Sequence, residues 1–276
     1  MNKNEIYKIY TECFPKLLAN FETFFEQLGL DNNPSKILFY EDKGYAIYQK
    51  NALLLLCVRQ DYRRQGIGKK LLEDVEKEIF SEYDKLILGH STTHYLYPGV
   101  PEIPCNSAKE FFTKCGYNFT WDSFDMMLET DNNIWENVSA YDGDDFDFRY
   151  RKDDEIAAAK IAGDEISGWG DAYASSDRCL LAIEKSTGEI AGGIVIDEDN
   201  PYSLSFPNTG GFGCVGVRER YRKFGLGMKL CKEALKILTE LKIKRCFIGY
   251  TGLVSWYGKL GAKPCAKYAM GEKSRI

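Results

Sequence analysis

Two short segments combine glycines with basic side chains at a spacing that could bind an anion. The sequence reads YRRQGIGKKL over residues 62–71 and YRKFGLGMKL over residues 221–230, and six of the ten positions are identical. Glycine lets the backbone approach a ligand closely, and backbone N–H groups at the start of a helix attract phosphate groups. The spacing is not that of a P-loop or of a dinucleotide-binding fingerprint. Taken alone, each segment is equally consistent with a structural turn.

The sequence around both segments repeats as well. Apolar residues of strand character precede them over residues 52–58 and 212–217, and short apolar strands follow over residues 85–89 and 245–250. Between these strands, apolar residues recur with the spacing of an amphipathic helix. They are Ile67, Leu71, Leu72, Val75 and Ile79 in the first copy and Leu226, Leu230, Cys231, Ala234, Leu235, Leu238 and Leu241 in the second. Two copies 159 residues apart indicate two domains, each with a strand–turn–helix–strand crossover.

Hairpins and a polar linker complete the predicted domain plan. Two pairs of apolar segments flank short glycine-containing turns, which favours antiparallel strands. These pairs are residues 37–40 with 45–48 and residues 179–184 with 190–196. The stretch 131–147 is rich in Asp, Asn and Gly, so we interpret it as a solvated linker. The predicted domains are residues 1–135 and 146–276.

The glycine segments, with the apolar strand before each, resemble the acetyl-CoA signature of GNAT N-acetyltransferases. The resemblance implies two tandem GNAT domains of α/β (α+β) class, each with a mixed, mostly antiparallel central sheet flanked by helices. It also implies acetyl-CoA as the co-substrate, with its pantetheine arm between two splayed parallel strands. The positions implied to bind acetyl-CoA are Leu56, Val58, Arg63, Arg64, Gln65, Gly66, Ile67, Gly68 and Lys69 in the first domain and Val215, Val217, Arg222, Lys223, Phe224, Gly225, Leu226, Gly227 and Met228 in the second.

A second family element is present in both halves, but its sequence differs between them. It reads WYGKLGA over residues 256–262 and FFTKCGY over residues 111–117. In the family, the tyrosine at this place often protonates the departing CoA thiolate. Tyr257 keeps the hydroxyl, whereas Phe112 cannot donate a proton. The resemblance therefore implies a catalytic C-terminal domain and an impaired N-terminal one, although Tyr257 could also be an ordinary core aromatic.

Two family features are incomplete. An asparagine that often binds CoA is replaced by Tyr250 or Thr251 in the second half, whereas the first half has Asn106 one position out of register. The first domain could therefore still bind CoA. The general base stays open between an ordered water and a carboxylate, and an ordinary surface position is the favoured interpretation of each carboxylate. The candidate carboxylates are Glu189, Asp197, Glu198 and Asp199.

The resemblance implies acetyl transfer to a primary amine by direct attack. Similar tandem proteins include acetyltransferases of amino sugars, so glucosamine or a related small molecule is the first acceptor that we expect. Polyamines, aminoglycosides and protein amines remain alternatives. A CoA-binding regulatory or sensor protein with degenerate sites is the rival hypothesis.

Composition narrows the possible partners and location. The net charge of −5 and pI of about 5.3 argue against nucleic-acid binding, and no run of eighteen apolar residues predicts a membrane span. Nine cysteines without a Cys-x-x-Cys pattern fit reduced thiols in a cytoplasmic protein. His90 and His94 have no evident third ligand, so no metal is expected. The expected assembly is a monomer or homodimer.

Two further segments have open roles. The first half carries an insertion that includes residues 95–101, which could cover part of an acceptor site or pack between domains. Trp169 and Tyr173 in the second half could form an aromatic wall for an acceptor, or they could be core residues.

Overall fold

The chain forms two structural units, which the computed structural model describes over residues 1–31, 34–91, 94–105 and 108–275. Unit 1 comprises Met1–Phe124, Pro201–Pro207 and Cys265–Ile276, and unit 2 comprises Asp125–Asn200 and Asn208–Pro264. The contiguous ranges 1–135 and 146–276 stay a prediction about the repeated domains. The units differ from these ranges because strand pairing, which the repeat does not reveal, groups the C-terminal segment with unit 1.

Unit 1 begins with helices and continues as a sheet. Its elements are α1 (Lys3–Cys13), α2 (Phe21–Gln27), β1 (Lys36–Tyr40), β2 (Gly44–Gln49), β3 (Ala52–Val58), α3 (Ile67–Glu82), β4 (Lys85–Leu88), β5 (Val100–Ile103) and α4 (Lys109–Lys114). Two longer strands, β6 (Asn118–Glu129) and β12 (Lys263–Ser274), contribute residues to both units. The strand order is β1-β2-β3-β4-β12, and β5 pairs with β12.

The parallel pair of unit 1 is short. Strands β3 and β4 pair only at Ala52 with Ile87 and at Leu53 with Leu88, whereas the neighbouring pairs are antiparallel. Helix α3 covers the sheet with the apolar face that the sequence predicts, and Leu71, Leu72 and Val75 lie in one core cluster with strand residues.

Unit 2 repeats the plan. Its elements are β7 (Phe146–Tyr150), α5 (Ile156–Ser167), α6 (Gly170–Ser175), β8 (Cys179–Glu184), β9 (Ile190–Asp197), β10 (Thr209–Val217), α7 (Leu226–Glu240), β11 (Arg245–Thr251) and α8 (Val254–Gly258). The strand order is β6-β11-β10-β9-β8-β7, and β10 with β11 is the parallel pair. The predicted mixed, mostly antiparallel sheets flanked by helices are confirmed.

Strands β10 and β11 separate early. They pair from Thr209 to Gly211 of β10, and the rest of β10, residues 212–217, continues without pairing to β11. The register of β10 against β9 also shifts between Gly213 and Gly216, which marks a β-bulge. The predicted splay between two parallel strands is therefore present in unit 2.

One predicted helix position is wrong. Leu241 lies after the end of α7 and is 41% exposed, because the chain turns there instead of extending the apolar face. Among the described residues, no helix has the length and apolar content needed to cross a membrane, and no group of three or more His, Cys, Asp or Glu residues is arranged to hold a metal ion.

Candidate active site

The two glycine turns have the same backbone geometry. In each, a 3-10 turn leads to a left-handed residue, Arg64 (φ 62°) or Lys223 (φ 74°), and then to a left-handed glycine that precedes the helix, Gly66 (φ 84°) or Gly225 (φ 83°). Such alternation turns successive backbone N–H groups towards one side, which suits an anion. The positive φ of Gly66 and Gly225 explains why glycine stands at these positions.

The motif arginines brace the turns. The Nε of Arg63 donates to the Val58 carbonyl oxygen (2.9 Å), and the Nε of Arg222 donates to that of Val217 (3.1 Å). Each arginine thereby closes a loop of five residues onto the end of its strand. Both side chains are exposed, so the braced guanidinium groups also add positive charge beside the N–H groups.

The other implied CoA-binding residues fall into two groups. The side chains of Ile67, Leu226 and Met228 are buried in the core, so only their backbone groups can meet a ligand. The remaining predicted positions line the strand end or the turn surface and are at least partly exposed. They are Leu56, Val58, Gln65, Gly68, Lys69, Val215, Val217, Phe224 and Gly227.

The surroundings of the two turns differ. In the described part of the chain, nothing lies within 4 Å of the place where a Cβ on Gly66 would point. A Cβ on Gly225 would lie 2.7 Å from the backbone nitrogen of Tyr141, whose N–H donates to the Gly225 carbonyl oxygen (3.3 Å). The predicted linker therefore runs directly beside the second turn, and the sequence contained no sign of this contact.

The linker packs against α7. The ammonium group of Lys232 donates to the carbonyl oxygens of Glu136 (2.7 Å) and Val138 (3.0 Å). Trp135 is buried, and its indole N–H donates to the Thr130 carbonyl oxygen (3.0 Å). The interpretation of residues 131–147 as a solvated connector is therefore wrong for this part, because one tryptophan and one lysine tie it to unit 2.

Tyr257 lies beside the opening of the parallel pair in unit 2. Its side chain is only 6% exposed, and its ring lies 6.2 Å from that of Phe212, the first residue of β10 beyond the pairing with β11. Among the described residues, its hydroxyl has no hydrogen-bond partner. Burial, followed by the nearby thiols of Cys231 and Cys246, raises the pKa of Tyr257, so the phenol stays protonated at neutral pH.

Phe112 takes the corresponding place in unit 1. It lines a narrow apolar cavity of about 70 Å³ together with Leu54, Leu56 and Leu88. The cavity offers no hydroxyl from Phe112.

Aromatic side chains fill the helix side of unit 1. Tyr97, from the insertion, is completely buried, and its hydroxyl donates to the Leu17 carbonyl oxygen (2.7 Å). Its ring stacks near those of Tyr202 (5.6 Å) and Tyr268 (6.2 Å) and contacts Phe14 (4.8 Å). Tyr97 therefore anchors the segment 95–101 inside unit 1, and the two roles expected for it, covering part of an acceptor site or packing between domains, stay predictions.

The helix side of unit 2 is built from small strand residues. The Tyr173 hydroxyl donates to the Cys214 carbonyl oxygen (2.8 Å) and so holds the bulge of β10. A Cβ on Gly193 would lie 2.7 Å from the Tyr173 ring, and one on Gly216 would lie 2.9 Å from the Trp169 ring. Tyr173 is therefore a core residue, and Trp169 packs directly over the bulge.

The remaining candidates have distinct environments. Glu189 pairs with Arg220 and accepts a hydrogen bond from the Tyr221 hydroxyl (2.9 Å), which lowers the pKa of its carboxyl group. The Tyr250 N–H donates to the buried carboxylate of Asp125 (2.9 Å). Asn106 lies outside the described residues.

Two family models match the chain. One, described as an acetyltransferase (GNAT) domain, matches residues 35–119, and the other, described as the acetyltransferase (GNAT) family, matches residues 135–262. No curated protein sequence matches the chain significantly.

Solved structures share the fold along nearly the whole chain. A GCN5-related glucosamine N-acetyltransferase region of a fungal multi-domain β-N-acetylglucosaminidase has a TM-score of 0.83 at 18% identity, covering 98% of this chain and 37% of that chain. A tandem GNAT protein from the clavulanic acid biosynthesis pathway has a TM-score of 0.69 at 13% identity, covering 99% and 96%. A GCN5-related N-acetyltransferase from Sphaerobacter thermophilus has a TM-score of 0.68 at 16% identity, covering 98% and 91%. This chain thus spans about two fifths of the fungal protein, and at these identities the likeness is one of fold.

Proposed function

We propose, because this chain belongs to the GNAT acetyltransferase family, that it moves the acetyl group of acetyl-CoA to a primary amine of a small molecule. We assign the reaction to unit 2, so that the C-terminal domain is catalytic and the N-terminal domain is impaired. The observation that carries this assignment is the buried, protonated Tyr257 beside the opening of β10 and β11, where unit 1 has Phe112.

The residues of unit 2 fit a CoA thioester. Its turn offers backbone N–H groups between left-handed Lys223 and the start of α7, with the exposed side chains of Arg222 and Lys223 beside them. These groups would hold a diphosphate. The unpaired part of β10, which includes Val215 and Val217, would offer backbone groups to the pantetheine arm.

The reaction needs a proton donor for the sulfur that leaves, and Tyr257 would supply it. Acetyl-CoA supplies an activated thioester, whose carbonyl carbon the amine nitrogen attacks. Tyr257, like any phenol, holds its proton at neutral pH, and burial raises its pKa further; it would donate that proton to the departing sulfur. No metal is needed for this acid–base chemistry, and we propose none.

We favour an amino sugar such as glucosamine as the acceptor. The support is the fungal glucosamine N-acetyltransferase region, which has the same fold at low identity. Polyamines, aminoglycosides and protein amines carry the same amine nucleophile and are the alternative acceptors. The acidic net charge supports small cationic acceptors over nucleic acid, and we propose no membrane partner. A monomer or homodimer in the cytoplasm is proposed, and the nine free cysteines support a reducing location.

A CoA-binding regulatory role is the second candidate, and it concerns unit 1. The glycine turn there is intact and open beside Gly66, whereas Phe112 lacks a hydroxyl and aromatic side chains fill the helix side. Such a unit could bind acetyl-CoA without turning it over.

A thiol-release assay with acetyl-CoA and a panel of amines tests the proposal. The matched variants are Gly227→Glu in unit 2 and Gly68→Glu in unit 1, since a Cβ there would lie 3.6 Å from Trp256 or 3.7 Å from Phe111, both ordinary contacts. We expect the added carboxylate to repel the diphosphate, so turnover should disappear only in Gly227→Glu. Turnover lost only in Gly68→Glu would assign catalysis to unit 1. No turnover with any amine, while acetyl-CoA still binds, would favour the regulatory role.

A further inference from the structure

Strand β9 ends beside the point where β10 leaves β11. Gly211 of β10 is paired with Asp197 on one side and with Phe247 of β11 on the other. It is also the last residue of β10 that pairs with β11. Asp197 therefore carries its carboxylate on the strand residue next to the opening that the proposed function uses.

The carboxylate of Asp197 has no partner among the described residues. The neighbouring Glu198 forms an ion pair with Arg178, and Glu189 is bound by Arg220 and Tyr221. Asp197 is exposed to solvent, yet enough protein surrounds it that burial raises the pKa of its carboxyl group. An unpaired carboxylate that is partly desolvated is free to accept a proton from a ligand.

Asp197 is also within electrostatic range of the bulge. Burial, with a smaller contribution from the charge of Asp197, raises the pKa of the Cys214 thiol to about 11. Cys214 belongs to the bulge that Tyr173 holds, and its thiol in turn acts on the pKa of Tyr257. The strand geometry agrees with this: Gly211, which is paired with Asp197, is followed directly by Phe212, whose ring lies 6.2 Å from that of Tyr257.

The matching position of unit 1 carries an amide. Gly44 pairs with Val58 as Gly192 pairs with Val217, and counting along β2 and β9 from these pairs places Gln49 where unit 2 has Asp197. Gln49 is 4% exposed and accepts a hydrogen bond from the Ser91 hydroxyl (2.6 Å). In unit 1 the position is therefore neutral, buried and engaged by a serine that precedes the segment 95–101.

We propose that Asp197 is the general base of unit 2. As the amine nitrogen forms its bond to the acetyl carbon, one N–H bond breaks and that proton passes to the Asp197 carboxylate. The carbon–sulfur bond then breaks, the sulfur takes the proton of Tyr257, and solvent exchange returns Asp197 and Tyr257 to their starting forms. The inference rests on the proposed function, and it selects one carboxylate from the four that the sequence left open.

Steady-state kinetics of Asp197→Asn with acetyl-CoA and glucosamine, or the best amine of the panel, test the inference. We expect kcat to fall by about 100-fold or more, because general base catalysis contributes about that much, while KM for acetyl-CoA stays within twofold. Asp199→Asn makes the same chemical change two residues away and should leave kcat unchanged. Asp197→Glu should recover part of kcat. A kcat of Asp197→Asn within threefold of wild type would overturn the inference and leave the proposed function standing.

Thermal unfolding supplies a readout apart from activity. The raised pKa means that the charged carboxylate is less favourable in the folded protein than in the unfolded chain. At neutral pH, Asp197→Asn should therefore unfold at the same or a higher temperature than wild type. A lower unfolding temperature with a matching loss of kcat would indicate a structural role and overturn the inference. A wild-type protein that acetylates no amine would instead overturn the proposed function, and this inference with it.

Discussion

The glycine turns of the two units follow the same backbone path, but the space beside them differs. Both have a left-handed residue, a left-handed glycine and an arginine bound to the strand end. Gly66 faces open space, whereas Gly225 is in contact with Tyr141 of the linker. A turn sequence thus sets the backbone geometry, while distant chain segments decide how accessible the turn is.

The sides of the two sheets that face the first helices of each unit also differ, in the size of the strand side chains. Tyr10 and Tyr97 fill unit 1 and are fully buried, and Tyr45 occupies the position that Gly193 has in unit 2. Large side chains occupy that side in unit 1, whereas Gly193 in unit 2 lets the Tyr173 ring approach the sheet. The comparison teaches that the two units share the turn and differ in the side chains around it, and this difference supports the proposal that unit 2 carries the chemistry.

The largest expected effect is the loss of turnover in Tyr257→Phe. If the phenol protonates the departing sulfur, kcat should fall by about 100-fold or more with acetyl-CoA binding kept. Calorimetric titration with CoA and thiol-release kinetics measure the two quantities. Phe112→Tyr is the matched change in unit 1 and should add no activity to the Tyr257→Phe background. A fall in kcat of less than threefold would mean that Tyr257 only packs against Phe212.

The second effect separates the two turns by stability. Gly66→Ala should cost about 1–2 kcal/mol, because alanine is strained at a φ of 84°. Gly225→Ala carries the same strain, and its Cβ overlaps with Tyr141, so it should cost roughly 1–3 kcal/mol more. Urea unfolding followed by circular dichroism gives both values. Equal losses would show that the linker moves aside at little cost.

The third effect contrasts two thiols. Hydrogen bonding with Cys57, followed by Arg63, lowers the pKa of Cys13 to about 7, whereas burial raises that of Cys214 to about 11. The labelling rate of Cys13 by iodoacetamide should rise with pH through about 7. At pH 8 it should exceed the rate of Cys214 by about tenfold, since more thiolate outweighs its lower nucleophilicity. Peptide mass spectrometry at a series of pH values measures both rates.

The same labelling experiment tests whether unit 1 binds acetyl-CoA. The Arg63 guanidinium lies 3.4 Å from the Cys13 sulfur and belongs to the open glycine turn. Acetyl-CoA bound at that turn should pair its phosphates with the Arg63 guanidinium. The Cys13 thiolate would then be less stabilised, and its labelling should slow. Identical rates with and without acetyl-CoA would count against binding by unit 1.

The smallest effect concerns the linker. Lys232→Met removes the ammonium group that holds Glu136 and Val138, and it should lower the free energy of unfolding by about 1 kcal/mol. Lys236→Met, one turn later, breaks only an ion pair with Glu233 and should cost roughly half as much or less. Equal losses of unfolding free energy in the two variants would mean that the hydrogen bonds from Lys232 to the linker do not stabilise unit 2.

Local sequence predicted several elements closely. Strand β3 matches residues 52–58 and β8 matches residues 179–184, because uninterrupted apolar runs between turns leave little choice of boundary. The buried face of α3 is the predicted one. Leu241 was misplaced, since apolar periodicity does not reveal where a helix stops. Asp197 was only one of four candidates, although aligning the strands before the two motifs would have paired it with Gln49.

The sequence by itself determined the geometry of the two glycine turns, since glycines at fixed spacing and the arginine that reaches the strand end act within about ten residues. It also determined the contrast between Tyr257 and Phe112, which is a matter of side-chain type. Only the tertiary structure decided that Tyr97 fills unit 1, that Tyr141 lies on Gly225 and that Asp197 stands without a partner at the splay. These outcomes depend on contacts between residues far apart in the chain, and spacing along a sequence carries no record of which distant groups will meet.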